Sequence, residues 1–298
     1  MFLLAIALGA CANPNRTSRP CSFAAQCEEK EIEKIRADAK AGDPCAANSL
    51  GWFYQKGQAM PKDCAQAIYW YRKSANQGNS TAQVNLGLSY DEGDCIAVDH
   101  QAAIAWYRKA AAQGNMDAEY MLGVRYLDGK GTAKDCQASR DWFKKAAEKG
   151  DSRSQFNLGR LLFYGESGCE PDLSGALAWW QAGARRGEAH SQNAVGAVYY
   201  SGSGVPQDYP EAFKWFDLAA NQGIPEAEAS LGVMYRNGQG VQRDLLEACA
   251  WFLLAAAQKD ERARQNLEEV SLLMTPNERL QAELRASAIK EKIKPADW

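Results

Sequence analysis

The stretch "QGNSTAQVNLGLSYDEG", residues 77–93, decides how the chain is read. It holds Ala82, Leu86, Gly87, Tyr90 and Gly93, and 36 residues further on the same places are filled by Ala118, Leu122, Gly123, Tyr126 and Gly129. Outward from it, a Leu-Gly pair, once Val-Gly, recurs at Leu50, Leu86, Leu122, Leu158, Val195 and Leu231. Four residues after each come Tyr54, Tyr90, Tyr126, Leu162, Tyr199 and Tyr235. Tryptophans keep the same period at Trp70, Trp106, Trp142, Trp179, Trp215 and Trp251. The steps are 36 residues except one of 37, whose extra residue falls in "YGESGCEPDLSG", a loop, where insertion is tolerated.

Each period reads as two helices. Ala82, Leu86 and Tyr90 are four apart and share one helical face; Gly87 admits the close approach of a neighbouring backbone, and Gly93 ends the helix. An Asp precedes the second helix in all six copies: Asp63, Asp99, Asp135, Asp172, Asp208 and Asp244. A carboxylate there accepts from the unpaired amides of the first turn, so these acids are read as caps and not as catalytic groups. The second helix carries Trp106, Tyr107, Ala110 and Ala111, then stops at Gly114, the residue best suited to the left-handed conformation after a helix.

The pattern A-x-x-x-L-G-x-x-Y-x-x-G, through Asp, to A-x-x-W-Y-x-x-A-A-x-x-G closely resembles the Sel-one-like repeat, a relative of the tetratricopeptide repeat. The resemblance implies an all-α fold, a right-handed α-solenoid superhelix of 36-residue helix-turn-helix repeats. Six repeats are expected over 45–259, with a capping helix in 21–44 and capping helices in 260–298, since terminal repeats lack a neighbour to cover an apolar face. Residues 1–20 read as a signal and tether: MFLLAIALGA is apolar, and "LGAC" resembles the lipobox of bacterial lipoproteins, which implies acylation at Cys11. The expectation is a periplasmic, outer-membrane-anchored lipoprotein, or otherwise a secreted protein.

The composition narrows the chemistry. A net charge of -3 with no Lys/Arg run excludes nucleic acid as a general partner. His100 and His190 fall in solvent positions of different repeats with no C-x-x-C or H-x-x-x-H beside them, so no metal or other cofactor is expected. Gly129-Lys130-Gly131, Gly202-Ser203-Gly204 and Gly238-Gln239-Gly240 share one repeat position between two helices, with no preceding strand, and are turns rather than phosphate loops or a nucleophile elbow. No nucleophile, base and oxyanion donor assemble, so no enzyme is expected, although some relatives have been labelled hydrolases.

Nine cysteines suit an oxidising compartment. Cys64 and Cys136 follow capping aspartates, while Cys95 and Cys169 lie in loops between the helices of the next repeats, which predicts Cys64 with Cys95 and Cys136 with Cys169. Cys249 takes a position that is apolar in other repeats and is expected to be a buried thiol; the pairing of Cys21, Cys27 and Cys45 is not legible.

In the related tetratricopeptide repeats the first helix of each pair lines the concave face. Relative to the Leu of Leu-Gly, that resemblance places positions -2, +2, +5 and +6 there. The candidate protein-binding groove is then Asn48, Trp52, Gln55, Tyr120, Phe156, Arg160, Phe163, Tyr164, Asn193, Tyr200, Arg236 and Asn237, with an aromatic strip beside Arg160. The expected partner is another protein or a peptide, bound by a monomer acting as a scaffold, an envelope regulator or an immunity protein. The alternatives are a hydrolase acting on cell-wall or lactam substrates and a structural spacer.

Overall fold

In the computed structural model, residues 29–165 and 168–293 are described, and they form helices α1 to α15 with no strand among them. The chain divides into two compact units, Met1–Lys149 and Gly150–Trp298. The first contains α1 (Glu29–Lys40), α2 (Pro44–Lys56), α3 (Cys64–Asn76), α4 (Ser80–Glu92), α5 (His100–Ala111), α6 (Met116–Asp128) and α7 (Cys136–Glu148). The second contains α8 (Ser152–Tyr164), α9 (Leu173–Arg185), α10 (Ala189–Ser201), α11 (Tyr209–Ala220), α12 (Pro225–Asn237), α13 (Leu245–Ala257), α14 (Glu261–Ser271) and α15 (Pro276–Lys290). Within each unit successive helices pack as pairs, α2 with α3 through α6 with α7, and α8 with α9 through α12 with α13. The signal, Cys11, Cys21 and Cys27 lie outside the described residues.

The helix boundaries follow from local chemistry. All six aspartates before the second helices accept a hydrogen bond from a first-turn amide, as Asp99 does from Ala102 N at 2.9 Å. Each first helix ends on a glycine in the left-handed region, as at Gly93, φ 74°. After the second helix the same region is taken by Gly114 and its counterparts, and in the last repeat by Lys259, φ 70°, a backbone that costs a non-glycine residue about 1 kcal/mol.

The Leu-Gly glycine has a different role from the expected backbone approach: an aromatic ring fills its place. A methyl group added at Gly87 would lie 2.5 Å from Tyr107 Cε1, and Gly51, Gly123, Gly159, Gly196 and Gly232 face Tyr71, Phe143, Trp180, Phe216 and Phe252 in the same way. The two rings of each W-Y pair therefore divide their work. The second goes into its own repeat and is at most 4% exposed. The first reaches a core shared with the preceding repeat: Trp106 packs against the cluster that holds Ile68, Tyr71 and Leu86, and Trp142 against the one that holds Ile104, Tyr107 and Leu122. Full burial of an aromatic ring stabilises by about 1.5–3 kcal/mol, and within the first unit the paired use joins the second and third repeats to their predecessors.

A polar position three residues before the Leu adds a second link. Gln83 donates to Ala75 O at 3.0 Å and accepts from Gln113 at 2.8 Å; Gln192 repeats this with Ala184 O and Gln222. Glu119 and Glu228 take the place elsewhere, both buried. Glu119 is paired with Lys149 at 2.6 Å, whereas Glu228 accepts from the neutral Gln258 at 3.0 Å.

Cys64 and Cys95 are bonded, with Cα atoms 4.6 Å apart. Their place in the repeat explains why they meet. Gly131, one repeat after Cys95, sits 2.6 Å from the His100 backbone when given a methyl group, and His100 is the counterpart of Cys64. The loop of one repeat touches the start of the preceding second helix, and a cysteine on each side converts that contact into a bond. Cys95 keeps the left-handed backbone of the glycine it replaces, φ 71°. Cys45, Cys136 and Cys169 are also disulfide-bonded, and Cys249 is a buried free thiol whose pKa is raised by burial.

Candidate functional site

The first helices of the pairs carry the candidate groove, and the two units differ in how far they present it. In the first unit it is largely closed. Asn48 is 1% exposed and its Oδ1 accepts from Asn85 Nδ2 at 2.9 Å, so it joins α2 to α4 instead of facing a ligand. Trp52 is buried edge-on to Phe53. These two are corrections to the groove: position -2 turns inward when the next first helix offers a matching amide, and position +2 when the indole meets the core of α3 and α4. Gln55 is half-buried, accepting from Tyr71 Oη at 2.8 Å and donating to Asp94 at 3.0 Å. Tyr120 is half-buried against Phe143, ring centres 5.9 Å apart.

The +5 position that holds Gln55 in the first repeat organises the first unit in the second repeat. Asp91, the counterpart of Gln55, has a side chain that is 5% exposed and accepts from Tyr107 Oη at 2.7 Å, with His100 Nδ1 at 2.9 Å and Arg125 Nε at 3.5 Å. Burial, and then the Asp91 charge, hold the Tyr107 hydroxyl well above the usual phenol range. His100 is thus not a solvent histidine but part of a closed polar cluster. His190 is half-buried beside Phe156, ring centres 5.5 Å apart, and burial pushes its pKa below the usual value.

The second unit is more open. Tyr164 is 64% exposed, standing edge-on to Phe163 at 5.0 Å, and Phe163 in turn rests on Trp180 at 5.2 Å. Phe156 and Arg160 are half-buried two turns and one turn before them on α8. On α10, Asn193 is half-buried with its Oδ1 out of solvent and without a hydrogen-bond partner, and Tyr200 donates to Gln239 at 3.0 Å while packing on Tyr209. Asn237 is exposed and donates to Gln239 at 3.1 Å. Arg236 is directed to the cap, donating to Asn266 at 2.7 Å and Glu269 at 3.1 Å of α14. What remains available is an aromatic edge with polar neighbours, the composition of a protein-binding surface. Among the described residues no helix is long and apolar enough to cross a membrane.

The Sel1 repeat matches this chain six times, at residues 46–79, 80–115, 117–151, 152–188, 189–224 and 225–260. No curated protein matches it. Among solved structures, a protective antigen present in uropathogenic Escherichia coli strains, displaying an SLR fold, is 34% identical with a TM-score of 0.82 over 89% of this chain. That likeness spans 57% of the antigen's own length. A Sel1 repeat protein from Oxalobacter formigenes is 32% identical with a TM-score of 0.67, covering 76% of this chain and 99% of that one. Six matched repeats, all-helical pairs and two solved relatives above 30% identity agree: the chain belongs to the Sel1 repeat family of α-solenoid proteins, which generally serve as protein-interaction scaffolds.

Proposed function

We propose that this protein is a non-enzymatic scaffold that captures a protein or peptide on the first-helix face of its second unit, acting as a monomer in the bacterial envelope. The observation that carries the reading is Tyr164, an aromatic side chain left 64% exposed beside Phe163 in a helix whose other large residues are packed. Exposed aromatic rings with an arginine close by in sequence are where binding energy concentrates. The "LGAC" stretch supports attachment through an acylated Cys11 and an extracytoplasmic location, and the oxidised cysteines fit that compartment. An immunity protein or a regulator of an envelope sensor is a narrower form of the same role, and a toxin gene adjacent to this one would mark the former.

A photo-crosslinking residue at position 164 tests the surface directly. It is expected to trap one discrete partner in cells, while the same residue at Leu218, exposed on α11, traps none; equal labelling at both sites refutes the assignment. Cys11→Ala is expected to move the protein from the membrane to the soluble fraction, and an unchanged distribution removes the anchor.

A further inference from the structure

The second helices of the first unit carry a feature outside the first-helix face. Two residues after each tryptophan come Arg72, Arg108 and Lys144, and three after it Lys73, Lys109 and Lys145. These cations are held in place rather than free to wander. Arg72 and Arg108 donate to the hydroxyls of Tyr90 and Tyr126 in the following repeat, at 2.9 and 2.7 Å. Lys73, Lys109 and Lys145 lie over Trp70, Trp106 and Trp142, with 4.8, 3.9 and 4.1 Å from Nζ to the ring centre. Neither a tyrosine hydroxyl nor an indole face neutralises charge. α3 and α5 contain no Asp or Glu at all, and among the described residues none of Arg72, Lys73, Arg108, Lys109 and Lys145 is ion-paired with a carboxylate. Five positioned, unneutralised cations thus follow one another along three consecutive repeats of a protein whose net charge is -3.

At the start of this row the surface is concave. A hollow of about 510 Å³ has Ile68, Ile96 and the Cys64–Cys95 bond in its wall, with Tyr69, Arg72 and Lys73 beside them. An apolar wall next to paired cations matches an apolar side chain flanked by carboxylates. A layer of lipid phosphates has nothing to place in such a hollow, and a long nucleic acid is repelled by the acidic remainder of the chain.

We propose that the exposed face of α3, α5 and α7 is a second docking surface, and that its occupant is an acidic segment of a partner protein, with carboxylates on the five cations and an apolar side chain in the hollow. This goes beyond the capture surface on the first helices, because it lies on other helices and selects a different chemistry.

The same chain supplies the variant for the test. In the fourth repeat the two positions are Gln181 and Ala182, and Gln181 still donates to Tyr199 Oη at 3.2 Å. Arg72→Gln, Lys73→Ala, Arg108→Gln and Lys109→Ala together copy that arrangement and remove four charges. Fluorescence anisotropy with a fluorescein-labelled oligoglutamate peptide carrying one leucine is expected to show binding by the wild type that weakens with salt. The fourfold variant is expected to bind about tenfold more weakly or worse, with an unchanged far-ultraviolet spectrum. If the fourfold variant is not folded, Lys109→Ala against Lys109→Arg decides, with loss expected only in the former. No binding by the wild type, equal binding by folded variants, or tighter binding to phosphatidylglycerol vesicles or single-stranded DNA than to the peptide overturns the proposal.

Discussion

Repeats one to three and repeats four to six treat the same two positions after the tryptophan differently. The first three place Arg72-Lys73, Arg108-Lys109 and Lys144-Lys145 there; the last three place Gln181-Ala182, Asp217-Leu218 and Leu253-Leu254. Yet the internal frame is common to both units: the glycine under an aromatic ring, the capping aspartate and the left-handed glycine recur in each. The first-helix faces reverse the contrast, closed by Asn48, Trp52 and Asp91 in the first unit and presenting Tyr164 in the second. The lesson is that frame and surface vary independently. A ring-on-glycine contact fixes how two helices meet and leaves the outward positions of each helix free to carry charge, apolar groups or a polar cluster.

The comparison is tested first where the units differ most. Replacing both Cys64 and Cys95 by Ser removes a bond closing 31 residues and is expected to cost about 3–4 kcal/mol, read as a lower midpoint in chemical denaturation. A loss confined to the first unit, seen as earlier amide exchange in α2 to α5 only, supports the division into two units; uniform loss contradicts it. The frame comes next. Gly87→Ala and Gly232→Ala place a methyl group 2.5 Å from Tyr107 and Phe252, and each is expected to destabilise by about 1–3 kcal/mol despite the better helix propensity of Ala. A cost in one unit and none in the other shows that the frame is not shared.

The buried carboxylates sharpen the contrast through pH. Burial pushes Glu228 up to about 7, with the Gln258 hydrogen bond lowering it and Glu226 raising it. Its folded pKa lies above its unfolded one, so the folded state binds the proton more tightly, and stability is lost as pH rises from about 4.5 through 7. Glu228→Gln places at this position the residue found at Gln83 and Gln192. It is expected to gain about 1–3 kcal/mol at pH 8 and to flatten the dependence over that interval. Glu119→Gln strands Lys149 and is expected to lower stability at the same pH. Equal effects of the two substitutions refute the distinction. The smallest effect is that of Lys109→Ala, which removes an exposed cation over Trp106 and is expected to change stability by less than about 1 kcal/mol.

Much of this was legible in the sequence because period and capping are local signals. Asp99 marks the start of its helix whatever surrounds it, and the register of Cys64 and Cys95 was readable from the spacing of the repeats. The partner of the Leu-Gly glycine was misread as backbone, although its signal was present: an aromatic residue follows each of the six by 20 residues, or by 21 at the longer repeat. Exposure on the first helix was not legible. Asn48 and Phe156 hold the same position, yet Asn48 is closed off by the amide of Asn85, a residue 37 positions away. Periodicity says which side a residue is on; the neighbour's side chain decides whether that side meets water.

The central claim is that the second unit's Tyr164 acts in recognition and not in the frame. It is tested most directly by comparing wild type and Tyr164→Ala for partner capture from envelope extract, with unfolding measured on the same samples. The expected result is loss of at least one partner with stability unchanged within about 0.5 kcal/mol. The same partners in the same amounts, at the same stability, would contradict it.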